Sequence, residues 1–193
     1  MIRFLFIVFT FHCFSGCLED NSSYVRSDVT LTEDVCILPR DMFDLLSLEK
    51  VAEIFELPTA NVEHFPNFTD SDNLKAFFIW EEDGLSDNRG LFISIKRNKY
   101  SEHGLDYISQ TIDNLKIHGE TDQEGVNVVY KNLEGFGSSG AYSDTNSTYV
   151  VELDNCVLFK VLLNSSLTTK AQDAKVKEVL YELLSSYYSF VGY

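Results

Sequence analysis

Residues 148–163 read TYVVELDNCVLFKVLL, and this stretch decides the fold. Thr148 to Leu153 and Cys156 to Leu163 are two runs of β-branched, aromatic and aliphatic residues, and between them sits only Asp154-Asn155, a pair that tolerates the positive φ of a tight turn. The reading is an antiparallel hairpin. Working back along the chain, Asn73 to Glu82 (NLKAFFIWEE) and Gly90 to Lys96 (GLFISIK) form a second hairpin around an acidic, glycine-containing connection. In its second strand Leu91, Ile93 and Ile95 alternate with Phe92, Ser94 and Lys96, so one face is buried and the other partly wet. Val126 to Lys131 (VNVVYK) supplies a further strand.

Helical spacing surrounds these strands. Met42, Phe43, Leu45 and Leu46 make an apolar stripe after Pro39, which suits a first helical turn. Ser47 reads as an N-cap for a helix carrying Val51, Ile54, Phe55 and Leu57, stopped by Pro58. Ser101 to Ile117 puts Leu105, Ile108, Ile112 and Leu115 on one side, with Gly119 just past its end. The longest helix runs from Thr168 to Val191, with Val176, Val179, Leu180, Leu183, Leu184 and Tyr187 as its stripe and Gly192 at the C-cap position. Strands joined by short turns pair antiparallel, and helices with one apolar face pack on them. The expected fold is therefore α+β: a single two-layer domain with an antiparallel sheet of about five strands.

The N-terminus supplies an address. Arg3 is followed by an apolar run from Phe4 to Phe11, too short to cross a hydrocarbon core of about 30 Å but suited to export. Phe14-Ser15-Gly16-Cys17 then resembles the cleavage box of bacterial lipoproteins: a bulky apolar residue, two small ones, and a cysteine. The resemblance implies that residues 1–16 are a signal peptide, that Cys17 is lipidated, and that the membrane is a partner through this lipid. Two or three acyl chains hold firmly, since each buried methylene contributes about 0.8 kcal/mol. Leu18 in place of Asp favours the outer membrane or the periplasmic side of the cell envelope. Residues 17–34 are polar and acidic without a period, and read as a tether to a globular domain over residues 35–193. Plain secretion is the alternative, and the sequons at Asn21, Asn67, Asn146 and Asn164 are the argument for a secreted glycoprotein.

Composition bounds the partners. The chain is 45% hydrophobic and 13% aromatic, too apolar for disorder. Its net charge is −15, and loss of Arg3 with the signal leaves 14 basic against 30 acidic side chains, or −16. A field of that sign repels phosphates and steers a basic protein inward, so no nucleic acid is expected as partner. Of the four cysteines, Cys13 leaves with the signal and Cys17 carries lipid. The remaining pair, Cys36 and Cys156, either forms a disulfide in an oxidising compartment or is two buried thiols; the bridge is the preferred reading.

Catalytic motifs fail on context. Gly135-Phe136-Gly137-Ser138-Ser139-Gly140 spells GxGxxG but lies between strands, with no helix N-terminus to receive a pyrophosphate. Around Ser139 the G-x-S-x-G pattern ends on Ala141. Nothing pairs His64, His103 or His118 with either serine, and no spacing of His and Cys suits zinc. The acidic stretches at 70–73 and 81–88 lack the order of a calcium loop. No enzyme activity, cofactor or metal is expected. The expected function is a non-catalytic binding or interaction module; the alternatives are an acidic inhibitor or immunity-type lipoprotein against a basic partner, and an envelope hydrolase.

Overall fold

The computed structural model describes residues 36–66, 72–81, 89–98, 107–121 and 125–193. The signal peptide, Cys17, the tether, residues 70–71 and 82–88 of the acidic stretches, residues 101–106 of the helix expected from Ser101 (with His103 and Leu105), and the sequons at Asn21 and Asn67 lie outside the described residues. Among the described residues the protein is α+β, with three α-helices and a seven-stranded antiparallel sheet.

The deciding hairpin is β8 (Thr148–Leu153) and β9 (Val157–Asn164). Asp154 and Asn155 both take positive φ, 47° and 55°, so the turn matches the right-handed twist of its strands. β2 (Asn73–Trp80) and β3 (Arg89–Arg97) pair antiparallel from Asn73 opposite Lys96 to Trp80 opposite Arg89. β3 then pairs with β9, joining the two hairpins at the centre of the sheet.

The sheet is wider than five strands. β1 (Val62–Pro66) adds an edge beside β2, and β7 (Ser139–Ser143) lies beside β8, with β6 (Lys131–Asn132) outermost. The strand expected over residues 126–131 is divided. β5 (Asn127–Val128) pairs with β4 (Glu120–Thr121) in a separate two-stranded ribbon, and only Lys131 reaches the main sheet. The expected helix after Pro39 is a single 3₁₀ turn, Met42–Asp44, because Asp41 caps it through the Phe43 amide and Asp44 reaches back to the Asp41 amide.

α1 (Leu48–Phe55) begins where Ser47 accepts the Lys50 amide at 3.2 Å and ends at Glu56 with φ 59°. α3 (Thr169–Val191) ends on Gly192 with φ 91°. Both helices cover one sheet face, in a core containing Phe78, Ile93, Phe159, Leu180 and Leu184. α2 (Tyr107–Ile117) lies on the opposite face, where Ile112 meets Ala141 and Val150. Among the described residues the two-layer expectation holds toward β1, whereas over β7 and β8 the sheet is sandwiched. β8 is accordingly buried at every position.

Cys36 and Cys156 form a disulfide with Cα atoms 5.2 Å apart, closing a sequence separation of 120. It ties the start of the described chain to the β8–β9 turn.

Candidate functional site

At the β6 edge, a cleft of about 620 Å³ opens between the sheet and the first turns of α3. β pairing builds one wall: Tyr142 lies opposite Lys131 on one side and opposite Tyr149 on the other. The rings of Tyr142 and Tyr149 stack with centroids 5.6 Å apart and planes at 17°. Lys131 sits over the Tyr142 ring and pairs with Asp144 in the following turn. Asn132, Leu133 and Glu134 continue the rim, and Thr169, Lys170, Asp173 and Lys177 of α3 form the opposite wall.

Asp173 joins the walls. Its Oδ1 accepts the Tyr149 hydroxyl at 2.9 Å, and its Oδ2 accepts Lys177 Nζ, one helical turn on, at 2.9 Å. Burial and the neighbouring Asp173 carboxylate push the Tyr149 phenol well above its ordinary range, so it remains a neutral donor. Glu134 is exposed and receives only the Asn132 amide, at 3.3 Å, among the described residues. The cleft thus offers three carboxylates, Glu134, Asp144 and Asp173, beside two lysines, Lys170 and Lys177, in its lining. Such a lining recognises cations and hydrogen-bond donors; it holds no histidine or cysteine to work as base or nucleophile.

The residues that tempted the sequence reading are elsewhere. Ser138 is bound to Asp154, donating to Oδ1 and accepting the backbone N–H, both at 2.7 Å. His64 packs edge-on against Phe43 with centroids 4.2 Å apart, and His118 is exposed past the end of α2. No serine–histidine pair forms among the described residues. The glycine string is structural: Gly137 has φ 59°, and a Cβ there would stand 2.0 Å from the Glu152 carbonyl oxygen. No group of three or more His, Cys, Asp or Glu side chains suited to a metal occurs among the described residues.

A second polar cluster lies under α2. Glu120 accepts hydrogen bonds from Tyr130, from Asn146 Nδ2 at 3.3 Å and from Lys160 Nζ at 3.2 Å. Burial raises the Glu120 carboxyl, but these donors and the Lys160 charge outweigh it and hold the group below its ordinary value. The Asn146 sequon is engaged in this cluster, with its Oδ1 buried and lacking a partner among the described residues. The Asn164 sequon is at the surface, where Oδ1 accepts Arg89 at 3.2 Å.

Sequence reasoning missed the cleft. Tyr142, Tyr149 and Asp173 belong to no motif, and only strand pairing and the return of α3 bring them together. No protein-family model, curated protein or solved structure matches the chain. Among the described residues no helix is long and apolar enough to cross a membrane.

Proposed function

We propose that the chain is a lipid-anchored domain of the bacterial cell envelope that acts by binding, and that its cleft receives basic side chains of a protein partner. One observation carries this reading: the cleft lies at the opposite end of α3 from Cys36, next to which the proposed tether ends. Thr169 and Lys170 line it, whereas Tyr187 near the other end of α3 bonds to Ile37, and roughly 25 Å of helix lies between. A domain tethered at Cys36 presents the cleft outward. The net charge of the chain draws a cationic partner toward it, and the rim carboxylates Glu134 and Asp144 give that attraction a position.

Intact mass of the protein purified from its native membrane tests the anchor: a chain beginning at Cys17 with added acyl mass is expected. An unlipidated chain bearing glycans would overturn the reading in favour of a secreted glycoprotein. For the cleft, an oligo-arginine peptide is titrated into the full chain by fluorescence anisotropy. Glu134→Gln with Asp144→Asn should weaken binding by about tenfold. Glu49→Gln with Glu53→Gln on α1 removes the same charge elsewhere and should leave binding nearly intact; equal losses would reduce it to diffuse attraction and sink the site.

A further inference from the structure

Along α3 the charge stops. Lys170, Asp173, Lys175, Lys177, Glu178 and Glu182 are its charged side chains, whereas Leu183 to Tyr193 contains none. That stretch is not all interior: Phe190 is 40% exposed and Tyr193 50%, and Ile37 is 45% exposed. Tyr187 draws the first and last of these residues to one place. Its hydroxyl donates to the Ile37 carbonyl at 2.9 Å, and its ring lies 6.4 Å from that of Phe190. Ile37 follows Cys36, which the bridge to Cys156 fixes to the sheet, so the N-terminal segment joins the domain beside this uncharged patch. One cation lies close in sequence: exposed Arg40 follows shortly after Ile37, and Asp41 beside it is engaged as the cap of the 3₁₀ turn, whereas Arg97 is spent on Asp72.

We propose, on the lipid-anchor reading above, that this end of the domain rests on the bilayer entered by the Cys17 lipid, with Ile37, Phe190 and Tyr193 in the headgroup layer. Aromatic side chains favour that layer, where an apolar body is covered and a phenol stays wet. The acidic remainder of the surface is repelled by anionic headgroups within a Debye length of about 8–10 Å, so an approaching domain turns inward the end that lacks charged side chains. A few side chains bind weakly alone. Short tethering holds them near the surface at an effective concentration on the order of millimolar, which makes weak binding sufficient.

The test uses the full lipidated chain in vesicles of phosphatidylcholine with a minority of phosphatidylglycerol, with and without bromine on the acyl chains near the headgroups. Trp80 is only 3% exposed and gives a constant background. Phe190→Trp should emit further to the blue and lose roughly half of its added emission to the brominated lipid, as a ring some 5–10 Å into the boundary would. Leu167→Trp, just before α3 at the cleft end, should lose none. Equal responses of the two variants would mean a freely tumbling domain and overturn the proposal. No quenching of Phe190→Trp, with acyl mass present on Cys17, would overturn the patch and leave the anchor standing; absence of acyl mass would remove both. A lipid-free Cys17→Ser chain that sediments as a dimer, and returns to monomer with Phe190→Asp, would assign the patch to a second copy and likewise overturn it.

Discussion

At the start of α3, Asp173 is held by Tyr149 and Lys177, and Lys175 by Glu56; toward its end, Tyr187 packs edge-on against Phe159 at 5.6 Å and bonds to Ile37 beside the Cys36–Cys156 bridge. One helix is therefore fastened in two ways. The cleft end relies on polar contacts that water competes for, and the root end relies on apolar packing and a covalent bond. Exposed ion pairs contribute little, whereas burial and loop closure contribute much. Such a division accords with the proposal that the end near Cys36 is tethered and the cleft end binds a partner. It also orders the expected consequences of change from the root outward.

The largest effect belongs to the bridge. A disulfide closing a separation of 120 residues restricts the unfolded chain by about 4–5 kcal/mol in the chain-entropy model. Cys36→Ala with Cys156→Ala should lower the midpoint of denaturant unfolding accordingly, and reduction of the unsubstituted protein should reproduce the loss. A midpoint unchanged by either would mean that packing alone holds the root, and the contrast between the two ends would lose its covalent half.

Next comes the cluster under α2. Because the Glu120 carboxyl lies below its ordinary value of 4.5 in the folded chain, the unfolded chain binds more protons as acid is added. Its contribution is fully present above that value and is lost as pH falls through the lower folded value. Glu120→Gln should cost about 1–3 kcal/mol at neutral pH, since it weakens the bonds from Tyr130 and Lys160 in a half-buried site. The variant should also unfold with a flatter pH dependence below 4.5 than the unsubstituted chain. Parallel acid profiles would show that the cluster is not what acid attacks.

How much of this could be read from sequence depends on the range of the interaction. Asp154-Asn155, the Ser47 cap and Gly192 act within a turn, and the alternation Leu91-Ile93-Ile95 follows from a single sheet face; each was legible. β7 was not. Ser139, Gly140 and Ala141 carry no strand preference, and they are extended because β8 pairs with them and α2 packs on Ala141, which is fully buried. β1 is likewise a strand through its register with β2. Position of α2 on the second face left a local trace in β8, whose six buried positions include Glu152, but an apolar run alone does not reveal which element covers it. The cleft was illegible for the same reason at longer range: Tyr149 meets Asp173 only because α3 runs back along β9.

Within the cleft, Tyr149→Phe removes the hydroxyl that joins the walls. Asp173 keeps Lys177 and remains partly solvated, so the cost should be about 1 kcal/mol and visible as a small drop in thermal midpoint. Oligo-arginine binding should rise slightly, because an Asp173 oxygen becomes available to the peptide. A fall in binding would mean that the tyrosine positions the carboxylate for its partner and does not compete with it.

The smallest effect is expected at the outermost polar contact of the same helix. Lys175 Nζ lies 2.8 Å from Glu56 Oε1, and the glutamate side chain is 80% exposed while the lysine is 21% exposed. Truncating the lysine would also uncover the apolar surface beneath its stem, so Glu56→Gln is the cleaner change. The Lys175 partner does hold the Glu56 carboxyl below its ordinary value, yet in water this attraction is screened and both side chains lose freedom to form it. Glu56→Gln should leave the thermal midpoint within the scatter of repeated melts, at low and at high salt alike. A drop exceeding that of Tyr149→Phe would show that the ion pair clamps α1 to the start of α3, and the cleft end would then be as firmly built as the root.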